Sequence, residues 1–481
     1  MASKDGLKKW QVFTPNVIVK KILTTVHYNN YQILDRRILE NSCGEGHFLE
    51  EIVKRYIFYG LKNNMEIEGI KRGLETYIYG YEIDPVCYNK CIKNLNCIVE
   101  EYNMTNVNWK IYNKDFLKAY CNGDIKLQFD FIVGNPPYIN YTELSVDTRE
   151  FVKDKFSTCK KGKFDYCYAF IEAALELLSP NGRFSYIVPN SVFKNVYAEN
   201  LRELMLPYIS KILDYSDTNV FEKALTSTVI FLCQNGKTIK DINYKNKSNR
   251  ETLQIEKTGL KSKWQFKNEN NNLGKNKKFG DYFKASIGVA TLYNKAFLIN
   301  AEELKDKDDY FQLNCFKIEK DALRLTASPR SKTYDKKQYI IYPYINDNGQ
   351  IIRFADVKDF RKSFPRTAEY LQIYKNQLLK RNADNSAQWF EYGRSQALRN
   401  LQQKKLLVST IITNKVSVYE LSENTIPYSG IYIVALNDND LAYAKRILES
   451  QDFFNYVQEI GISANGKSKR ITVKDINNFI F

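Results

Sequence analysis

The sequence predicts an α/β protein in its first half, built on a doubly wound and mostly parallel sheet, followed by a second unit of mixed α+β character. Three observations carry that prediction. Helix-period and strand-like segments alternate from residue 17 to about 235. A glycine-rich turn at Gly44 and Gly46 joins a short strand to a helix, and composition shifts to polar, low-complexity sequence after Cys233.

The elements follow in order. VIVKKILTTV (17–26) has the apolar spacing of a helix, and RRILEN (36–41) is a short strand running into SCGEGHFLEEIVKRYIF (42–58), where a second helix opens. TYIYGYEID (76–84) is the next strand, PVCYNKCIKNL (85–95) a helix, and NWKIYNKDF (108–116) a third strand. FDFIVGNPPY (129–138) is a strand that stops abruptly. A helix FDYCYAFIEAALELL (164–178), the turn SPNG, and strands GRFSYIVP (182–189) and STVIFLC (227–233) complete the series. The expected divisions are a first domain over 1–240, a polar linker or surface loop over 241–279, and a second domain over 280–481 that is aromatic, basic and rich in short β-like pieces.

A formal net charge of +16 on 481 residues fits a polyanionic partner, because a basic surface concentrates phosphates and speeds encounter. Nine cysteines without a CxxC pair make neither a disulfide framework nor a zinc site, and no metal is expected. With only His27 and His47 in the chain, triad hydrolysis and histidine-metal chemistry are disfavoured. The first residues lack an apolar h-region and no segment reaches about 18 uninterrupted apolar residues, so a soluble, cytoplasmic protein with no membrane association is expected.

Strand-GEG-helix is a way of holding a nucleotide-like cofactor, since small residues let the backbone approach it. The full dinucleotide fingerprint fails, because Leu49 stands where a third glycine belongs and no strand-end acid follows at about 20 residues. Instead, Glu40, Glu82 and Asp115 each end a strand. Singly, Glu82 reads as a solvated acid and Asp115 as a helix N-cap; as a set they occupy one carboxyl edge of a parallel sheet. A carboxylate there can accept both hydroxyls of a ribose, and Asp115-Phe116 offers an acceptor and a ring face to a purine. In Gly134-Asn135-Pro136-Pro137-Tyr138, two prolines remove backbone donors and fix φ, so neither strand nor helix continues. What is left is a stiff platform with exposed carbonyls, an amide before it and an aromatic ring after it. That is the complement of an exocyclic amine.

FIVGNPPY resembles the (D/N/S)PP(Y/F) motif of class I amino-methyltransferases that use S-adenosylmethionine. FTPNVIVKKI resembles their capping motif, LENSCGEGHFL their glycine-loop motif, and IYGYEIDP and NKDF the next cofactor motifs. GKFDYCYAFIEAALELLSPNGRFSYIVPNSVF and VFEKALTSTVIFL continue the series. The order is similar to gamma-type DNA adenine-N6 methyltransferases of the TaqI and Eco57I kind, over residues 11 to 235. WFEYGRSQAL resembles part of their C-terminal specificity domain. The resemblance implies that Thr14, Glu40, Ser42, Gly44, Glu82, Ile83, Asp115, Phe116 and Phe170 hold the cofactor and that Asn135, Pro136, Pro137 and Tyr138 are catalytic. Tyr138 and Phe221 would stack on the target base. ENSCGEG departs from the commoner DPACGSG, with Asn41 in place of proline.

Duplex DNA is the expected partner, read by the C-terminal domain through Arg394, Lys467, Lys469 and Arg470, with a separately encoded restriction endonuclease as a second partner and a monomer as the working state. The alternatives are an RNA-base or N4-cytosine methyltransferase, a protein glutamine methyltransferase, a fused restriction enzyme, and a non-catalytic specificity protein on the same fold. More than 200 residues of basic sequence after the first domain argue against the glutamine reading, and the absence of a PD…ExK arrangement argues against fused cleavage.

Overall fold

The computed structural model describes residues 14–481 apart from 217–226, 237, 261–262, 267–275, 348–349, 395–397, 399–400 and 465–467. Phe221, Lys467 and the first residues of the capping segment thus lie outside the described residues. The chain divides into two units at residues 271 and 272.

The first unit starts with α1 (Asn16–Thr25), whose Ile18, Val19, Ile22 and Leu23 form one buried stripe. Strand β1 (Ile38–Glu40) leads through the glycine turn into α2 (His47–Lys62). A helix the periodicity did not reveal, α3 (Ile67–Tyr77), follows; it buries only Ile70, Gly73 and Leu74, too thin a stripe to stand out in sequence. Next come β2 (Ile78–Tyr81), α4 (Pro85–Glu100), β3 (Lys110–Tyr112), α5 (Phe116–Cys121) and β4 (Phe129–Gly134). Asp84 caps α4, accepting from Val86 N–H at 2.9 Å, and Pro85 fills its first turn, where no donor is needed. The remaining elements are α6 (Val146–Lys155), α7 (Cys167–Glu176), β5 (Leu178–Pro189), α8 (Glu199–Met205), β6 (Ile209–Asp214), β7 (Thr228–Gln234), β8 (Asp241–Asn246) and β9 (Thr252–Glu256).

These strands make one nine-stranded sheet in the order β3-β2-β1-β4-β5-β7-β6-β8-β9. β3, β2, β1, β4 and β5 are mutually parallel, and β7 runs antiparallel between β5 and β6. Successive strand residues face opposite cores: Leu39 joins α5, α7 and α8 on one side, Ile38 joins α1 to α4 on the other. The chain winds outward from β1 to β3 and then restarts at β4, so the switch point lies between the carboxyl ends of β1 and β4. There Glu40 registers with Val133, and ligands of open α/β sheets sit at such a crevice.

The SPNG turn is an excursion inside β5: Leu178 pairs with Phe129 and Arg183 with Phe131, and Asn181 takes φ 64° between them. The expected linker over 241–279 is corrected in its first part. Residues 241–256 form β8 and β9 on the first unit's sheet, because Ile242, Tyr244, Leu253 and Ile255 alternate inward beneath the polar residues Asp241, Asn243, Lys245, Thr252, Gln254 and Glu256. Polar composition hid a strand pair whose apolar residues are few but regularly spaced.

The second unit is α+β. One four-stranded sheet combines Phe283–Ile287, Ile431–Ala435, Lys405–Val408 and Val418–Leu421, all antiparallel. Another combines Leu298–Asn300, Gln338–Ile341, Leu323–Ala327 and Ile426–Pro427. Among the described residues no helix is long and apolar enough to cross a membrane.

Candidate active site

A cavity of about 790 Å³ opens at the carboxyl edge of the parallel strands. Its wall takes Phe116 from beyond β3, Glu82 and Ile83 from beyond β2, Asn41, Ser42 and Gly44 from beyond β1, and Asn135 to Tyr138 from beyond β4. Sheet order therefore lays these groups out side by side, although the sequence separates them widely.

Along that edge the chemistry changes step by step. Asp115 caps α5, accepting from Lys118 N–H at 3.2 Å, so the N-cap reading and the cavity-wall reading hold together. Phe116 stacks on Phe170 with ring centroids 5.7 Å apart. Ile83 is 66% exposed, an apolar side chain left uncovered on the cavity wall. A flat ring between Ile83 and Phe116 would bury both. At β2, Glu82 Oε2 accepts from Gly44 N–H at 2.8 Å and Oε1 from Asp84 N–H at 2.7 Å. Each oxygen keeps a second lone pair, so the carboxylate is oriented yet can still accept a diol.

At β1 two buried polar atoms have no partner, Glu40 Oε2 and Asn41 Nδ2. Burial pushes the Glu40 carboxyl well above the usual carboxylate range, with the neighbouring Cys91 and Glu82 adding to the effect. Gly44 has φ 53°, and a Cβ there would meet nothing within 4 Å, so the turn leaves open room beside the loop. An acid oriented for a diol, an apolar slot, a glycine turn with space beside it, and an unpaired acceptor and donor at the next strand fit S-adenosylmethionine. Glu82 would take the ribose, Ile83 and Phe116 the adenine ring, Asp115 its amine, and the ends of the glycine turn the amino-acid tail.

At β4, Gly134 adopts φ 152°, which a side chain would strain, and this swings Asn135 out of the strand. Asn135 is held from several sides. Its Nδ2 donates to Thr14 Oγ1 at 3.1 Å, its Oδ1 accepts from the Tyr138 hydroxyl, and its backbone carbonyl accepts from Ser42 Oγ at 3.3 Å. The Tyr138 hydroxyl also faces the Ile187 carbonyl of β5. Burial raises the Tyr138 phenol well above its ordinary pKa, so it stays a proton donor.

Of the residues expected from sequence, Ser42, Gly44, Glu82, Ile83, Asp115, Phe116, Phe170 and Asn135 to Tyr138 share this cavity. Thr14 and Glu40 stand behind it: Thr14 braces the Asn135 amide, and Glu40 packs beneath Gly134, where a Cβ would lie 3.6 Å from Glu40 Cγ. Sequence reasoning missed Tyr166, whose edge meets the Phe170 ring at 5.5 Å, and the α6 residues Thr148 and Phe151. The spacing of four between Tyr166 and Phe170 was the available signal; α6 carried none. In the second unit, Arg394 Nη1 donates to Asp384 Oδ1 at 2.7 Å, and its backbone N–H to the Ala290 carbonyl at 3.2 Å. Its guanidinium is thus tied into the unit's own frame. Lys469 and Arg470 form a short strand pairing with Ile411–Ile412 and Ile462–Ser463, and Arg470 is exposed.

Sheet topology, glycine turn and cavity together define a class I S-adenosylmethionine-dependent methyltransferase domain in the first unit. More particularly, the chain carries an Eco57I-type restriction-modification methylase domain, since the family described as Eco57I restriction-modification methylase matches residues 57–221. The chain is similar to the type II restriction enzyme and methyltransferase RM.Eco57I of Escherichia coli, 24% identical over 92% of this chain and 53% of the relative. It is 28% identical to the type II methyltransferase M.BstVI of Geobacillus stearothermophilus over 45% of this chain and 40% of that one. The chain spans about half the length, or less, of these curated relatives. Among solved structures, the type IIL restriction-modification enzyme MmeI in complex with DNA superposes with TM-score 0.64 at 15% identity, covering 96% of this chain and 65% of that chain. A nuclease-deletion mutant of the type ISP enzyme LlaGI gives TM-score 0.55 at 13% identity, covering 93% and 50%. These two likenesses concern the fold.

Proposed function

We propose that the protein methylates N6 of an adenine flipped out of duplex DNA, at sites chosen by the second unit, as the modification activity of a restriction-modification system. One observation carries the reading: Asn135, Pro136 and Tyr138 line the same cavity as Glu82, Ile83 and Phe116, the residues that would hold the cofactor's nucleoside. An exocyclic amine at that edge would meet two acceptors, Asn135 Oδ1 and the Pro136 carbonyl.

The adenine amine is a poor nucleophile because its lone pair is delocalised into the ring. Accepting both its hydrogens favours a more tetrahedral nitrogen and frees that pair. Asn135 is preorganised for this. Tyr138 donates to Oδ1 and Thr14 accepts from the amide nitrogen, so two fixed contacts set the direction in which the amide oxygen points. When bound, S-adenosylmethionine supplies an electrophilic methyl group. The methylated amine is acidic and sheds its proton to solvent, so no histidine is required. A stacked base cannot reach the cavity; flipping costs about a few kcal/mol, and stacking on Tyr138 returns about 1–3 kcal/mol. The basic second unit, with Lys469 and Arg470 on one small sheet, supports phosphate contact and target reading there.

The test is modified-base sequencing of DNA from a methylation-free bacterial host expressing the protein. N6-methyladenine at one recurring sequence is expected, and its absence with Asn135→Ala. N4-methylcytosine instead, modified RNA with unmodified DNA, or wild type and Asn135→Ala behaving alike would overturn the reading.

A further inference from the structure

We infer that Asn41, which stands where the commoner form of this motif has proline, uses its side-chain amide to grip the carboxylate of the cofactor's amino-acid tail. This rests on the cofactor reading of the cavity and adds a residue to it.

Asn41 follows Glu40 at the end of β1, is 1% exposed, and lines the cavity. Its amide is oriented from behind. Tyr186, fully buried on β5, donates its hydroxyl to Asn41 Oδ1. With the carbonyl end satisfied there, Nδ2 carries two N–H donors into the wall and has no partner. A buried donor left unpaired costs stability, and an apolar residue of similar size would avoid the cost. The position is therefore better explained by a ligand than by folding.

The chemistry of that ligand follows from the neighbours. Nδ2 is a donor only, so the hydrogens of a target amine cannot satisfy it. The matching group is an acceptor, and an anionic one gains most in a buried setting. Glu40 Oε2, one residue earlier, is a buried acceptor with no partner. Glu40 lies behind the wall, so the group that meets the cavity here is the Asn41 donor, and the anionic acceptor that S-adenosylmethionine offers is the carboxylate of its amino-acid tail. Ser42 is not the donor needed here, since its Oγ already donates to the Asn135 carbonyl at 3.3 Å. The same registration explains why β5 presents a tyrosine beneath the loop: the Tyr186 hydroxyl fixes which end of the Asn41 amide faces the cavity.

The experiment is calorimetric titration of the full-length protein, at pH 8, with two nucleosides. S-adenosylhomocysteine carries the amino-acid tail and 5′-methylthioadenosine lacks it. Asn41→Asp keeps the shape and the acceptor for Tyr186 but replaces the donor by an oxygen; Asn41→Ala removes the side chain. Both variants are expected to bind S-adenosylhomocysteine about tenfold or more weakly and to bind 5′-methylthioadenosine within about twofold of wild type. Retained 5′-methylthioadenosine binding also reports that the loop is folded. Unchanged S-adenosylhomocysteine affinity in either variant, or equal weakening of both nucleosides, would overturn the role of Asn41 while leaving the cofactor reading intact. A wild-type protein that binds neither nucleoside would overturn both.

Discussion

Tyr138→Phe deletes one oxygen from the catalytic loop and keeps the ring. In the structure that hydroxyl reaches both Asn135 Oδ1 and the Ile187 carbonyl, and burial keeps it protonated. One proton serves these acceptors, and a neutral buried hydrogen bond contributes about 1 kcal/mol, with somewhat more lost when an acceptor is stranded. Asn135 keeps the Thr14 contact at its Nδ2 but loses the donor that fixes its Oδ1. If about 1–2 kcal/mol of that orientation is expressed in the transition state, single-turnover methyl transfer slows about 5- to 30-fold. Tyr138→Ala removes the stacking surface as well, and a further loss of about 1–3 kcal/mol is expected. The assay is single-turnover transfer of labelled methyl groups to unmethylated DNA, paired with calorimetric cofactor affinity. Cofactor affinity should stay within about twofold for Tyr138→Phe, since the hydroxyl contacts Asn135 and Ile187 and not Glu82, Ile83 or Phe116, proposed to hold the nucleoside. Transfer at the wild-type rate in Tyr138→Phe, or equal losses in the two variants, would refute the claim that the hydroxyl aims the amide.

Three further outcomes concern the second unit. Lys405 is 1% exposed, with Nζ donating to the carbonyls of Ser422, Glu423 and Thr425, and burial pushes its pKa down to about 8. The unfolded chain, with an ordinary value of about 10.4, then binds more protons than the folded one above pH 8, so stability rises with pH through that window. Between about pH 7.5 and 9.5 the gain is about 2 kcal/mol for the transition that contains this unit, and denaturant titration should find it absent in Lys405→Met. Arg470→Ala should lower duplex DNA affinity and flatten its salt dependence by about one phosphate contact. Arg394→Ala, which breaks the pair with Asp384, should lower the unfolding midpoint and leave the salt slope unchanged; an altered slope would assign Arg394 to the DNA.

What was legible in the sequence is what a strand end writes locally. Glu82, Asp115 and Asn135 each follow an apolar run and precede a helix start or a proline, so their place on one carboxyl edge could be read without coordinates. Strands β8 and β9 could not, because Ile242, Tyr244, Leu253 and Ile255 are spread among lysines and asparagines whose composition reads as loop. Nor could the division of labour between Thr14 and Ser42. Both belong to motifs that point to the cofactor, yet Thr14 bonds the Asn135 amide across 121 residues and is not on the cavity wall. Spacing rules describe contacts within an element; these depend on which strands the sheet sets next to each other. The Asn41 amide has the same origin, since its partner Tyr186 lies 145 residues away on β5.

The 134–138 loop is therefore held by the whole switch point of the sheet. Thr14 before α1, Ser42 after β1 and Ile187 on β5 converge on Asn135 and Tyr138 from 121, 93 and 49 residues away. Two prolines remove two backbone donors from the loop, so beyond the Tyr138 hydroxyl its alignment depends on those distant partners. Ser42 lines the cavity and also donates to the Asn135 carbonyl at 3.3 Å, so one hydroxyl ties the glycine turn to the 134–138 loop. A ligand that orders the glycine turn would thereby order the acceptors. Under the proposed function, cofactor binding would then favour the arrangement that accepts the target amine, through one hydroxyl.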